Sequence, residues 1–511
     1  MDKLSTELDT KIATFLDTRS LSAFSKVSKY YRSVAEPILY KDIVLKEYDE
    51  YTLKRLFLTL LARKELALHI LSMTVVEHGG VEQSREQKEK NNMDLWANTS
   101  AIQKTIADVL STARGQQNTH TRRAAWFSDI FQQQPALNDH ILALILCMAL
   151  NIRSVDLYHH DVADGDGPDA YSHVRSVLVQ HWTGDNPSFQ KIKALTFHGP
   201  GIRHFITPVL PTMTSLEVRG TRLMESYDED LFTEPLPMPA QPLLKRLVFS
   251  ETRNLNTDWL CRTVQSKSVC HLKELVVDCP GMIIPGSRCS LESLIRTLCK
   301  WTPNLESLRW TDQTVHADLW NNPDPGRFPQ FKSFKALTKL RKLHVDFRLL
   351  IHPDDNSLET LADPHTVFPE SLEDLTLEDC REYRLHCLIE KLHKKIEYAE
   401  NLSEEVSMAI AFLASKFTPL KRLALSIALQ QLNDAIGGYN VPVELEPSDV
   451  VFYRFAADVL VEKGLDFEVY RKPKDFLDVP RLLVKHGFTA PLPHAREELY
   501  VELEELQSSL C

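Results

Sequence analysis

Apolar residues recur along the chain in a six-residue pattern with apolar side chains at its first, fourth and sixth positions. An apolar residue followed by apolar-polar alternation predicts a short strand with one buried face. The successive copies from the second onward begin 21 to 48 residues apart, so the array is irregular. The ten copies begin at Leu68, Ile152, Ile192, Met213, Leu244, Leu272, Leu305, Leu340, Leu372 and Leu420.

Repetition of one strand-forming unit is typical of a solenoid, in which each repeat buries its apolar face against its neighbours. We therefore predict an α/β fold: a curved parallel sheet with helices or irregular turns on the convex side. The predicted strands lie near residues 43–45, 72–76, 153–158, 194–198, 215–219, 246–250, 274–278, 307–311, 342–346, 374–378 and 422–426.

The first 45 residues have a different periodicity. Apolar residues three or four positions apart predict two amphipathic helices joined by a turn at residues 17–20, with the second helix ending near Glu36 because Pro37 follows. The segment 38–45 then predicts the first strand. The two helical stripes are formed by Leu4, Leu8, Ile12, Phe15 and Leu16, and by Leu21, Phe24, Val27, Tyr31 and Val34.

This N-terminal segment resembles an F-box. The matching positions are Leu4, Glu7, Ile12, Leu16, Leu21, Val27, Ser28, Arg32 and the pair Leu39-Tyr40. The family normally has a proline after the first leucine, where this chain has Ser5. Ser5 or Thr6 could cap the helix through its side-chain oxygen, so a weakened helix start is expected. The repeats in turn resemble the degenerate leucine-rich repeats of fungal proteins, with their lead-in seen as TPNLESL from Thr302.

The F-box resemblance implies a specific partner. By resemblance, such a unit would dock onto the Skp-type adaptor of a cullin ubiquitin ligase, and the solenoid would bind a target protein. The implied adaptor-binding residues are Leu4, Ile12, Leu16, Leu21, Phe24 and Val27. The alternative is a protein-interaction scaffold unconnected to ubiquitin, in which the two helices cap the end of the solenoid.

The resulting organisation is a small F-box-like helical unit at residues 1–45 followed by a degenerate leucine-rich-repeat solenoid at residues 46–511. Leucines at 499, 503, 506 and 510 lie on one helical face and predict an acidic helix that covers the C-terminal edge of the sheet. Polar or proline-rich loops are predicted at residues 79–92, 115–123, 233–242, 321–330 and 437–447.

Charge and composition exclude several classes of function. A net charge of −11 and a pI near 6.0 argue against a general nucleic-acid or membrane-surface binder. The most apolar run, Ile141 to Leu150, is ten residues long, half of what a membrane span requires, and predicts a buried helix. No secretory signal is visible, and nine scattered cysteines predict reduced thiols, so a cytoplasmic or nuclear location is expected.

The sequence offers no catalytic, metal or cofactor site. Five cysteines between Cys261 and Cys299 lack the CxxC pairing that structural zinc sites usually show. The acidic segment from Asp164 to Gly167 fails the calcium-loop spacing. No nucleotide-binding, zinc-protease or serine-hydrolase motif occurs, so we predict a protein that is not an enzyme.

The outward positions of the predicted strands carry charges that could form ladders across the sheet. At equivalent positions of successive repeats, Lys342, Asp374 and Arg422 alternate in sign. Arg309, Lys342 and His344 are the candidate target-binding residues, because a positive patch there could meet an acidic target. The alternative is that Glu274, Asp346 and Asp374 neutralise them.

Overall fold

A computed structural model describes the parts of the chain that carry most of the predicted elements. The described residues are 6–46, 50–76, 99–112, 137–158, 174, 191–198, 212–220, 244–250, 257–265, 269–279, 291–312, 333–346, 367–378, 420–427, 431–433, 440–442, 457–458, 460–462, 464–471 and 481–489. The predicted C-terminal helix, the acidic segment from Asp164 and most of the predicted loops lie outside them. The chain divides into two compact units.

Unit 1 comprises Met1–Leu255 with Ser266–His271, so the predicted boundary at residue 45 lies inside it. Its described helices are α1 (Thr6–Ala13), α2 (Thr18–Ser25), α3 (Lys29–Leu39), α4 (Glu50–Ala62), a 3₁₀ helix (Lys64–His69), α5 (Thr99–Thr112) and α6 (Leu137–Met148). Its described strands are β1 (Asp42–Lys46), β2 (Ser72–Val76), β3 (Ser154–Tyr158), β4 (Ala194–His198), β5 (Ser215–Arg219) and β6 (Arg246–Ser250). These six strands pair in chain order, each parallel to the next.

Unit 2 comprises Asn256–Gln265 with Leu272–Cys511. Its described helices are α7 (Thr257–Gln265) and α8 (Leu291–Trp301). Strands β7 (Glu274–Cys279), β8 (Ser307–Asp312), β9 (Lys342–Asp346), β10 (Asp374–Glu378) and β11 (Arg422–Ile427) are parallel and in chain order. A hairpin of β12 (Gln431–Asn433) and β13 (Asn440–Pro442) precedes β14 (Asp466–Arg471), which pairs parallel to β11. Strands β15 (Arg481–Lys485) and β16 (Phe488–Thr489) follow antiparallel.

The predicted parallel α/β architecture is confirmed inside each unit, because all eleven predicted strands are present in chain order. In seven copies of the apolar pattern the first, fourth and sixth residues are all buried, as in Leu305, Leu308 and Trp310. The copy placed at Leu68 was wrong. Leu68 is 43% exposed in the 3₁₀ helix, and the buried pattern begins at Ile70.

Helix boundaries differ most from the prediction in the N-terminal unit. The predicted second helix is two helices, because the hydroxyl of Ser28 accepts a hydrogen bond from the Tyr31 amide and starts α3. Helix α3 also continues through Pro37 into its last turn, where the Tyr40 amide still bonds the Glu36 carbonyl at 3.0 Å. The first strand therefore begins at Asp42.

Two further corrections concern loops and thiols. The predicted loop at residues 437–447 contains the short strand β13, and the hairpin of β15 and β16 was not predicted; Gly487 in its turn has a φ of 69°, which favours glycine. Cys147, Cys270 and Cys299 are free thiols as predicted, but Cys261 is disulfide-bonded. Sequence spacing does not show which thiols come within bonding distance.

Candidate functional site

The helical unit formed by α1, α2 and α3 has a small core of its own. Ala13, Leu21, Val34 and Ala35 are buried together, and Leu16, Phe24, Tyr30, Ile38 and Leu39 pack against them. The Tyr30 hydroxyl donates a hydrogen bond of 2.7 Å to the buried Asp9 carboxylate, joining α3 to α1. The Asp17 carboxylate caps α2 by accepting from the Ser20 amide at 2.6 Å. These contacts fix the positions of the three short helices.

Among residues 6–39, the same unit leaves four large apolar side chains exposed: Leu8 by 50%, Ile12 by 48%, Phe15 by 81% and Val27 by 67%. We call these four residues the apolar docking surface. Leu8 and Ile12 lie one turn apart on α1. Neighbouring exposed apolar side chains such as Leu8 and Ile12 favour a protein-binding site, whereas singly scattered ones are ordinary.

The predicted adaptor-binding residues are distributed over three environments. Ile12 and Val27 belong to the apolar docking surface, whereas Leu16 and Phe24 are half-buried against the core. Leu21 is 3% exposed and faces the inside of the unit, so it is not available to a partner; Leu4 lies outside the described residues. Leu8 and Phe15 were not assigned to the surface from sequence, although Leu8 shares a helical stripe with Ile12.

A double ion pair fastens the helical unit to the next part of unit 1. The Arg63 guanidinium donates to both carboxylate oxygens of Glu36, at 2.5 Å and 2.8 Å. Such bidentate pairs fix orientation as well as distance. Because Glu36 lies in α3 and Arg63 precedes the 3₁₀ helix, the pair holds the three helices in a defined orientation against the start of the repeats.

The outward face of unit 2 carries a compact charge cluster. The Arg309 guanidinium lies 3.5 Å from carboxylate oxygens of both Asp278 and Glu378. His344 Nε2 lies 2.5 Å from the same Glu378 carboxylate, and the Thr311 hydroxyl donates to Asp278 at 2.8 Å. Glu378 is nearly buried, with 8% of its side chain exposed. The predicted target-binding residues Arg309 and His344 therefore already face carboxylates.

The counter-charges differ from the ones proposed from sequence. Asp278 and Glu378 face Arg309 and His344, whereas Asp374 pairs with Arg422 at 2.9 Å. The third candidate, Lys342, is exposed. Lys342 lies in register with Asp374 on β10. Target binding by Arg309, Lys342 and His344 stays a prediction.

A second cluster surrounds Glu468 on the neighbouring strands. This carboxylate accepts hydrogen bonds of 2.8 Å from Arg422, Tyr470 and Lys485. Burial raises the pKa of Glu468, but the three donors outweigh burial and leave the pKa below its ordinary value. The Asp374–Arg422 pair confirms one rung of the predicted alternating ladder.

In unit 1 the corresponding buried carboxylate is Glu217. It pairs with Arg219 and, at 3.0 Å, with Arg246. Burial raises the pKa of Glu217, and the hydrogen bonds from the two guanidinium groups lower it further than burial raises it. On the adjacent strand β4, His198 Nε2 lies 2.7 Å from the Asp156 carboxylate on β3. The outward faces of both units are thus stabilised by paired charges.

No protein-family model matches the chain, and no curated protein matches it. Within the described residues no helix is long and apolar enough to cross a membrane. In the same part of the chain, no group of three or more metal-ligating side chains is brought together.

We expect the free energy of unfolding to fall in acid because of Glu217 and Glu468. Since their folded pKa values lie below the unfolded values, their contribution is present at neutral pH and is lost as pH falls through the folded pKa, from about pH 5 downward. Glu217→Gln and Glu468→Gln should each flatten the pH dependence of the thermal midpoint. Glu370→Gln, at an exposed glutamate, is the control. Equal slopes in all four proteins would contradict the assignment.

Proposed function

We propose that this chain is the target-binding subunit of a Skp-cullin-F-box ubiquitin ligase. The observation that carries the proposal is the three-helix unit, whose F-box-like sequence leaves Ile12, Val27 and two further apolar residues exposed. That unit is joined directly to parallel-strand repeats, the arrangement expected of an adaptor-binding module followed by a recognition module.

In this role the chain positions the target protein and catalyses no step itself. The apolar docking surface would be buried against the adaptor, where each large apolar side chain contributes about 1.5–3 kcal/mol if fully buried. Ubiquitin transfer would be performed by other subunits. The chain raises the effective concentration of target lysines near the charged conjugating enzyme.

The double ion pair between Glu36 and Arg63 supports this positioning role. A target held by the repeats reaches the conjugating enzyme only if its orientation relative to the adaptor is restricted. The bidentate pair and the packing of α3 against the 3₁₀ helix restrict it within unit 1.

Affinity purification of the tagged chain from its native cell tests the proposal. We expect recovery of a Skp-type adaptor and a cullin with the wild-type chain, and loss of both with the double variant Phe15→Asp/Val27→Asp. A charge introduced into an apolar interface is left buried without a partner, which is costly. Both side chains are exposed in the free chain, so the variant should remain folded.

The matched control is Leu68→Asp/Leu150→Asp. Like Phe15 and Val27, these two leucines are exposed apolar residues of unit 1, but they lie outside the helical unit. The control should retain adaptor and cullin. If the wild-type chain recovers neither subunit, the helical unit acts as a cap and the chain is an interaction scaffold.

A further inference from the structure

A row of basic side chains lies where the parallel strands of unit 1 begin. The residues that directly precede β3, β4, β5 and β6 are Arg153, Lys193, Thr214 and Lys245. Backbone hydrogen bonds connect them in sequence: the Lys193 amide donates to the Arg153 carbonyl at 2.7 Å, the Thr214 amide to Lys193 at 2.8 Å and the Lys245 amide to Thr214 at 2.9 Å. They are therefore neighbours across the sheet, about 4.8 Å apart from strand to strand.

The three charged members of this row, Arg153, Lys193 and Lys245, form what we call the basic row. All three side chains are exposed. Within the described part of the chain, none of them forms an ion pair with a carboxylate. Lys191 extends the positive charge beside Lys193, where its ammonium donates to the Asn151 amide oxygen at 2.6 Å.

The acidic side chains nearest in the sheet are already engaged. Asp156 faces His198 at 2.7 Å, and Glu217 is held between Arg219 and Arg246. Asp42, at the other end of unit 1, accepts a hydrogen bond from Ser72 and lies 3.9 Å from Lys41. None of these carboxylates is paired with the basic row.

At the equivalent positions of unit 2, basic and acidic residues alternate. The residues that precede β7 to β11 alternate in sign along the sheet. Lys273 bonds Glu306 at 2.6 Å, and Lys421 lies 3.1 Å from Glu373. The alternating row is Lys273, Glu306, Arg341, Glu373 and Lys421. Pairing of opposite charges stabilises neighbouring strands, whereas like charges side by side destabilise them. Stability therefore accounts for the row in unit 2 and not for the basic row in unit 1.

We propose that the basic row of unit 1 binds an acidic peptide segment of a partner protein. Its charges spread over three strand spacings, or about 14 Å, which an extended peptide of about five residues covers. A short acidic segment fits better than a long polyanion, because the basic row offers only three positive charges and the net charge of −11 would repel the rest of a long polyanion. The inference stands apart from adaptor binding, since the two surfaces use different residues.

The test uses the purified full chain and a fluorescein-labelled peptide of alternating Glu and Ser, about eight residues long, read out by fluorescence anisotropy. The triple variant Arg153→Ser/Lys193→Ser/Lys245→Ser should bind the peptide about tenfold more weakly, as expected for the loss of a few exposed charge pairs. Raising the salt concentration should reduce wild-type binding, because exposed charges are screened.

The matched control is Lys273→Ser/Arg341→Ser/Lys421→Ser, which removes the same number of positive charges from the equivalent positions of unit 2. It should change the affinity less than about twofold, because those charges alternate with carboxylates. Equal losses in the two triple variants would overturn the proposal, since net charge alone would then govern binding. Absence of wild-type binding would also overturn it.

A single charge reversal separates binding from folding. In Lys193→Glu the new carboxylate would lie beside Arg153, so the thermal midpoint should stay unchanged or rise while peptide affinity falls. A lower thermal midpoint together with lost binding would overturn the interpretation that the charges of the basic row have no carboxylate partner. Tighter binding of single-stranded DNA or anionic vesicles than of the peptide would replace the peptide with that class of ligand.

Discussion

Replacing Trp310 by alanine should lower the free energy of unfolding of unit 2 by about 4 kcal/mol, the usual cost of truncating a buried aromatic residue to alanine. Trp310 occupies the sixth position of its repeat, is fully buried, and pairs in register with Val277 and Val345 on the adjacent strands. We expect differential scanning calorimetry to show the unit 2 transition lowered by roughly 10 °C.

Adjacent valines on β7 provide the control for this prediction. Val277 is fully buried at an inward position, whereas Val276 is half-buried at an outward position opposite Arg309. Val277→Ala should lower the midpoint clearly and Val276→Ala should lower it little, although the chemical change is the same. Equal effects would mean that the sixth position of the pattern does not define the core.

The second large effect distinguishes the inside of the helical unit from its surface. Leu21→Asp should unfold α1, α2 and α3, because it places a carboxylate without a partner among Ala13, Val34 and Ala35. A buried unpaired charge costs at least several kcal/mol. Ile12→Asp should leave the helices folded, since Ile12 is 48% exposed.

Hydrogen exchange of the helical amides separates the two variants. Leu21→Asp should lose protection throughout residues 6–39, and Ile12→Asp should keep it. Under the proposed function both variants should lose adaptor binding, Leu21→Asp through unfolding and Ile12→Asp through its altered surface. Retained protection in Leu21→Asp would contradict the placement of Leu21 in the core.

Sequence periodicity was sufficient to predict the strands, because burial repeats at fixed positions within each repeat. Seven copies bury all three apolar positions, and the strand limits differ from the prediction by a residue at most in the central repeats. The helix predicted in the apolar run from Ile141 is also present as α6. These elements are specified locally, by residues within one six-residue pattern or one helical stripe.

Features that depend on long-range contacts were less predictable. Leu21 has the same helical spacing as Phe24 and Val27, and the spacing does not show which side of a three-helix unit faces its core. The counter-charges of Arg309 lie on β7 and β10, so their identity depends on strand register and on side-chain reach. The boundary between α2 and α3 was predictable from the local sequence, because Ser28 is a residue type preferred at helix N-caps.

Titration of the purified chain with a purified Skp-type adaptor is the most direct test of the central claim, that the helical unit is an adaptor-binding module. The account predicts saturable one-to-one binding by the wild-type chain and by Leu68→Asp/Leu150→Asp. It predicts at least a hundredfold weaker binding by Ile12→Asp, roughly 3 kcal/mol. Undiminished binding by folded Ile12→Asp and Phe15→Asp/Val27→Asp, or no binding by the wild-type chain, would contradict it.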